Sequence, residues 1–309
     1  MSTPPLPSVA VLMATYNGRQ WLPEQLQSIL DQEGVQVTVT VLDDGSTDGT
    51  LDWLHETAAA EPRLTVLASD SPSGSAAANF FRLIERAPTE LADYVALSDQ
   101  DDVWIPGKLA RHIGLIVREG FDGVSSSVLS FTPEGTKTLI RKNYRQRQFD
   151  YLLESPGPGC SFLMTPATVD LVRNVVRTDS SVGGIDFHDS LIYALARVHG
   201  LTWFIDGTPT VNYRQHGNNV MGANVGRGSA LARLSLIRTH WHRNQAVLMG
   251  RVALAVASPT VKPALERVVG LMSTRGIRAR FALVALSGQF RRRPRDRFVI
   301  GVLILLGVW

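Results

Sequence analysis

The chain has 309 residues, 44% of them hydrophobic, enough for one large domain, or a domain with an appendage, around a substantial core. Its single cysteine, Cys160, excludes an internal disulfide and suits a reducing cytosol. The net charge of +3 conceals an asymmetry: residues 227–309 hold 15 Lys/Arg against 2 Asp/Glu, and residues 1–226 hold 16 against 26, so an acidic body precedes a basic segment.

The first seven residues are small and proline-rich, with no basic region followed by an apolar one, so no secretory signal is expected. Ser8–Ala14 reads as a buried strand, and Trp21–Gln32 has helical spacing, with Trp21, Leu22, Leu26, Ile29 and Leu30 on one face. Val35–Leu42 alternates as a strand, and Thr47–Ala60 is a helix with Ser46 or Thr47 as its N-cap. Leu64–Ala68 is a strand, Ala76–Arg86 a helix, Tyr94–Leu97 a strand, and Pro106–Arg118 a helix opened by proline. Four strand–helix alternations predict an α/β fold: a mostly parallel, Rossmann-like sheet flanked by helices.

Beyond residue 120 the pattern loosens. Val124–Phe131, Ser161–Thr165, Leu201–Ile205 and Thr210–Arg214 read as strands, and Pro166–Val176 and Phe187–His199 as helices. A Gly- and Asn-rich loop spans Gly217–Gly228. From Ser229 the chain reads as amphipathic helix with breaks near Ser258–Pro259 and Thr274–Gly276. The expected organisation is a catalytic domain over 1–226 and a helical appendage over 227–309.

The chemistry concentrates at strand ends. Ala14-Thr15-Tyr16-Asn17-Gly18 follows the first strand, and a hydroxyl, a ring and an amide there suit a nucleobase, although Asn-Gly is also a common turn pair. Asp43 and Asp44 end the second strand, where a carboxylate can accept from a base imide or a ribose hydroxyl; Ser46, Thr47 and Asp48 read as caps for the next helix. Asp99, Asp101 and Asp102 place three carboxylates within four positions, which repel one another unless a cation is present. Magnesium uses one or two carboxylates and completes its octahedron with water and substrate phosphates; a solvated acidic loop is the alternative. In an open α/β sheet these ends face the crevice where ligands bind.

These segments, Thr15-Tyr16-Asn17-Gly18, Asp43 to Thr50 and Ser98-Asp99-Gln100-Asp101-Asp102-Val103-Trp104, in this order and spacing, resemble family-2 inverting glycosyltransferases of the GT-A fold over roughly residues 8–222. Pro106, Lys108, Gly159-Cys160-Ser161, His188-Asp189 and Tyr213-Arg214-Gln215-His216-Gly217-Asn218-Asn219 resemble bacterial rhamnosyltransferases of surface polysaccharide synthesis.

The resemblance implies that Thr15, Tyr16 and Asp44 hold the base, that Asn17 and Asp43 belong to the nucleotide-sugar site beside them, and that Asp99 faces the ribose or sugar. It places Asp101 on a Mg2+ or Mn2+ ion with Asp102 assisting, puts His216 on the metal or diphosphate, and sets Lys108 and Arg214 at the donor. Asp189 stands where the family's catalytic base does, in a His188-Asp189 pair where the family has Glu-Asp; for the residues alone, helix-start acids are also ordinary dipole partners. Transfer of one sugar is implied, since the Gln-x-x-Arg-Trp signature of processive synthases is missing. The donor implied is dTDP-rhamnose and the acceptor a lipid-linked or growing cell-surface glycan.

At the C-terminus, Arg291-Arg292-Arg293-Pro294-Arg295-Asp296-Arg297 precedes twelve largely apolar residues, Phe298–Trp309, too few to span a bilayer of ~20-residue helices. Arg275, Arg278 and Arg280 interleave with Ile277, Phe281 and Leu283 in the same manner. This pattern predicts a peripheral contact with anionic lipid at the inner face of the cell membrane, or a helical face packed on protein; its apolar content argues against nucleic acid. The oligomeric state is open. Two other readings of the chain stand beside a transferase: a nucleotidyltransferase, which would want a Gly-rich phosphate loop after the first strand, and a non-catalytic nucleotide-sugar-binding partner. The want of G-x-G-x-x-G after the first strand argues against a Rossmann oxidoreductase.

Overall fold

A computed structural model describes residues 5–132, 135–215 and 240–309. The chain divides into two compact units: Met1–Asn143, Gly157–Thr178 and Leu201–Arg214 form one, and Tyr144–Pro156, Asp179–Gly200 and Gln215–Trp309 the other.

The first unit carries the sheet. β1 (Ser8–Thr15) is buried from Val9 onward and lies between β2 (Gln36–Asp43) and β4 (Tyr94–Ser98), parallel to both. Burial on both faces explains its unbroken apolar run. β3 (Leu64–Leu67) extends the sheet beyond β2 in parallel. On the other side, β9 (Leu163–Met164) runs antiparallel to β4 and to β6 (Gly123–Ser126), and β10 (Trp203–Asp206) closes the edge parallel to β6. The order is β10-β6-β9-β4-β1-β2-β3. The chain steps outward from β1 to β3, then returns to place β4 on the opposite flank, so β1 and β4 mark a topological switch point.

The helices α1 (Leu22–Leu30), α2 (Thr50–Ala60), α3 (Ala76–Arg86), α4 (Lys108–Glu119) and α5 (Pro166–Thr178) belong to this unit. Leu22, Leu26 and Ile29 of α1 and Leu109 and Ile116 of α4 join the strand residues Val11, Met13, Val39 and Val41 in one core. Helix α2 starts later than the sequence suggests. Its N-cap is Gly49, in the left-handed region at φ 84°, and not Ser46 or Thr47. Those two are drawn into the turn after β2 instead.

Two further differences trace to tertiary pairing. The stretch read as one strand over 124–131 is two, β6 and β7 (Val128–Phe131), and they enter different sheets. The chain turns at Ser127, whose N–H donates to Asp206 O (2.8 Å) and whose Oγ accepts from Lys142 N–H (3.1 Å). A second sheet follows, in the order β5-β11-β7-β8, with β5 (Val103–Trp104), β11 (Val211–Arg214) and β8 (Lys137–Ile140). Neither β5 nor β8 has a recognisable sequence pattern: one is two residues long, and the other is largely exposed.

The second unit is helical: α6 (His188–His199), α7 (Trp241–Leu254), α8 (Lys262–Ser273), α9 (Ile277–Leu286) and α10 (Pro294–Leu306). The breaks expected near Ser258–Pro259 and Thr274–Gly276 separate α7 from α8 and α8 from α9. Residues 216–239, which include His216, the Gly/Asn-rich loop, the expected boundary at 226/227 and the start of the predicted helical run, lie outside the described residues.

At the heart of this unit Asp150 is fully buried. It accepts from Arg197 Nη1 (3.2 Å), Arg292 Nη1 (3.2 Å) and Tyr193 OH (3.3 Å). Arg292, central in the basic run, is therefore a core residue. Its guanidinium also pairs with Glu154 (3.5 Å). No helix among the described residues is long and apolar enough to cross a membrane.

Candidate active site

The three loops after β1, β2 and β4 are stitched together by side chains. Asn17 takes the left-handed conformation at φ 48°, which Asn tolerates better than most residues. Its N–H donates to Ser46 Oγ (2.8 Å) and its Oδ1 accepts from Thr47 N–H (2.8 Å). Gly18 N–H donates to Thr50 Oγ1 (3.0 Å), and Arg19 N–H to Asp48 Oδ2 (3.1 Å). The residues that looked like caps for α2 thus hold the β1 loop.

Asp43 binds inward. Its oxygens accept from Thr15 Oγ1 (2.8 Å), Gly45 N–H (3.1 Å), Ser46 N–H (2.8 Å) and Ser46 Oγ (2.6 Å). Asp44 accepts from the N–H groups of Ser73 and Gly74 in the loop before α3. Both carboxylates are buried, and each orders a loop at the crevice. Tyr16, by contrast, is 57% exposed, a position from which a ring can stack on a ligand.

Gln100, passed over by sequence reasoning, fixes Tyr16. Tyr16 N–H donates to Gln100 Oε1 and Gln100 Nε2 donates to Tyr16 O, both at 2.8 Å. This side-chain amide imitates a strand pairing across the β1 and β4 loops. A Cβ at Gly18 would overlap that carboxamide, which accounts for glycine there. Gln100→Ala is expected to lower stability by about 1 kcal/mol, through two exposed hydrogen bonds lost, and to raise the donor KM more than it lowers kcat. Steady-state kinetics beside a thermal melt checks this; an unchanged KM would dissociate the clamp from donor binding.

The acidic loop after β4 rests on α1. Gln25 Nε2 donates to Ser98 Oγ (2.6 Å), Trp104 N–H donates to Ser28 Oγ (3.0 Å), and Gln32 bonds Ile105 O (3.2 Å) and Leu109 N–H (3.2 Å). Gln25, Ser28 and Gln32 recur at helical spacing, beside the apolar stripe. That polar stripe was the available signal for this support.

Asp102 is 1% exposed. Its Oδ1 accepts from Arg214 N–H (3.0 Å), joining the acidic loop to β11, and its buried Oδ2 has no hydrogen-bond partner. Burial, reinforced by Asp101 and Asp99, holds its carboxyl well above the usual range. The ligand atoms of Asp99, Asp102 and Cys160 lie within 4.8 Å of one another. Asp101 is half-buried at the mouth, and its carbonyl accepts from Arg214 Nε (2.8 Å). The carboxylates of Asp99 and Asp102 suit a hard divalent cation, and the buried Cys160 thiol beside Asp102 completes the cluster.

Behind Asp102, the Lys108 ammonium is enclosed 3.3 Å from the Trp104 ring centroid, and burial pushes it down to about 7 against the pull of Cys160 and Asp102. Lys108 therefore forms the wall of the site. Arg214 is likewise engaged: besides Asp101 it reaches Glu24 (2.5 Å) and stacks over Phe131 (4.6 Å to the centroid).

One structural unit thus brings together Thr15, Tyr16, Asn17, Asp43, Asp44, Asp99, Asp101, Asp102, Lys108 and Arg214. Asp189 stands in the other unit, in the first turn of α6, where its Oδ1 accepts from Ser190 N–H (2.6 Å). Beside it, burial pushes the His188 imidazole down to about 4, against the Asp189 charge.

Known proteins are similar to this chain. Residues 10–169 match the model of Glycosyl transferase family 2. The chain is 33% identical over 299 residues, 96% of its length and 100% of the relative's, to the dTDP-rhamnosyl transferase RfbG of Shigella flexneri. It is 23% identical over 163 residues, 52% of its length and 61% of the relative's, to the UDP-Glc:alpha-D-GlcNAc-diphosphoundecaprenol beta-1,3-glucosyltransferase WfgD of Escherichia coli.

Among solved structures, S. aureus TarS 1–349 in complex with UDP-GlcNAc aligns with TM-score 0.57 at 14% identity, over 97% of this chain and 81% of that one. The mannosyltransferase PcManGT of Pyrobaculum calidifontis, in complex with GDP-Man and Mn2+, aligns with TM-score 0.52 at 18% identity, over 97% and 85%. At these identities the structural likeness is one of fold. The sheet with its switch point, the family match and the whole-length relative agree, and they set aside the nucleotidyltransferase reading: the chain belongs to glycosyl transferase family 2, and it is a glycosyltransferase.

Proposed function

We propose that this enzyme moves a single rhamnose from dTDP-rhamnose to a hydroxyl of a lipid-linked or growing cell-surface glycan, with inversion and with a divalent metal, at the inner face of the membrane. The identity along the full length of a dTDP-rhamnosyl transferase is the observation that carries the donor. The lipid-linked acceptor named for the Escherichia coli relative supports the acceptor class.

In this reading the exposed Tyr16 ring stacks on the base, beside the loops that Asp43 and Asp44 order. Asp99 and Asp101 face the donor from the end of β4. Asp99, Asp101 and Asp102 would hold Mg2+ or Mn2+, which when bound neutralises the diphosphate charge that develops as the leaving group departs. Asp102 and Arg214 tie this loop to β11 and keep the carboxylates in place. Asp189 takes the proton of the acceptor hydroxyl as its oxygen attacks the anomeric carbon from the face opposite the diphosphate.

A thermal-shift panel of dTDP-, UDP- and GDP-sugars with Mg2+ or Mn2+ tests this. dTDP-rhamnose with metal is expected to stabilise most, by about 2.7 kcal/mol at a hundredfold excess over Kd. Asp101→Ala is expected to abolish the metal-dependent part. Calorimetry showing the same affinity with and without Mn2+ in both proteins would overturn the metal assignment, and a larger shift with another nucleotide sugar would replace the donor.

A further inference from the structure

Among the described residues, eight of the fourteen exposed large hydrophobic side chains lie between positions 277 and 308. Such crowding marks an interaction surface rather than scattered exposure. At 100° per residue, Phe298, Val299, Val302, Leu305 and Leu306 fall on one arc of α10, while Ile300 and Ile304 turn inward. On α9, Ile277 and Phe281 are exposed four residues apart, and Ala279 and Leu283 are buried. Arg280 of α9 lies against Gly307 and donates to Leu305 O (3.4 Å), so the start of α9 meets the end of α10 and the two apolar faces form one hairpin surface.

A basic cavity adjoins it. A space of about 380 Å³ between α7 and the end of α8 is lined by Arg243, Arg251, Arg275 and His240, with no acidic residue among its lining. Arg275 and Arg280 lower the affinity of Arg243 for its proton, after burial, the larger cause. Arg243 is spoken for by Met272 O (2.6 Å) and Thr274 O (2.8 Å). Arg275 leads directly into Ile277 of the hairpin. The run 291–293 contributes less than its sequence suggests, since Arg292 is buried on Asp150.

We propose that the α9–α10 hairpin docks on an anionic lipid surface, its apolar face entering the headgroup layer and Arg251 and Arg275 at the cavity receiving lipid phosphate. Charge and apolarity both fit this occupant: an amphipathic face with basic neighbours gains from apolar burial and from attraction to anionic headgroups together. The inference rests on the membrane-face reading of the reaction and gives it a physical surface.

The experiment is flotation of the full chain with vesicles of phosphatidylcholine alone or containing about 30% phosphatidylglycerol. Wild-type protein is expected to float with the anionic vesicles and to be released by salt. Phe298→Ser with Leu306→Ser is expected to lower binding at least about tenfold. Arg251→Gln with Arg275→Gln is expected to remove the anionic preference, about fivefold per arginine. These substitutions are at partly or well exposed positions, and the arginine pair carries the test if the serine pair fails to fold.

Wild-type protein that stays unbound, or variants that float equally, would overturn the proposal. So would a dimer in sedimentation velocity that the serine pair dissolves without any vesicle binding, since a second copy would then own the face. Transfer from dTDP-rhamnose to a water-soluble acceptor separates the two ideas. Its absence alongside vesicle binding refutes the reaction and leaves the surface standing.

Discussion

Asp189→Asn is expected to reduce sugar transfer by about 10²–10⁴-fold while leaving donor affinity unchanged. Asparagine keeps the acceptor that caps Ser190 N–H (2.6 Å) and the shape of the first turn of α6, but it cannot take a proton. The comparison is kcat for transfer against donor Kd by calorimetry. Equal losses in both would make Asp189 a structural residue of α6; retained turnover would reassign the base. The adjacent His188 is the natural rival. Burial pushes its imidazole down to about 4, so it is uncharged throughout the range above pH 5. An uncharged imidazole can still accept a proton, so the comparison is one of rate: His188→Gln is expected to leave kcat within a few-fold, whereas a His188 base would lose transfer by about 10²–10⁴-fold, as expected for Asp189→Asn.

The sheet was legible because its strands are buried on both faces and its helices carry one apolar stripe. Ser8–Thr15 and Ala76–Arg86 announce themselves through composition and spacing alone. What was not legible depends on partners distant in sequence. Val124–Phe131 carries three serines in a row, Ser125 to Ser127, which a half-buried strand also tolerates, and the chain turns at Ser127 because Asp206 and Lys142 claim it.

At the site, residue types were readable and their directions were not. Asp43 and Asp44 looked outward in sequence, and both accept from loop N–H groups. Lys108 read as a donor contact and is enclosed by Trp104. Ser46 and Asp48 read as helix caps and fasten the β1 loop. A side chain with several chemical options takes the one tertiary structure offers, and local sequence does not record which.

The basic C-terminal run gives the clearest case, and it carries the largest stability effect. Asp150→Ala is expected to destabilise the protein by about 3–5 kcal/mol, because it leaves the buried Arg292 and the largely buried Arg197 without their carboxylate. Asp150 lies 142 residues from Arg292, so no local pattern links them. Removing both charges should hurt less than removing one: Asp150→Ala combined with Arg292→Met is expected to recover part of the loss, since the orphaned cation is the costly species. Denaturant titration of wild type, both single variants and the double variant gives the coupling energy. A double variant as unstable as the sum of the singles would mean that Arg292 is held by Glu154 and the Ser155 carbonyl rather than by Asp150. The arginine run would then be fastened at its flank, and the same cycle on Glu154 would show the coupling that Asp150 lacked.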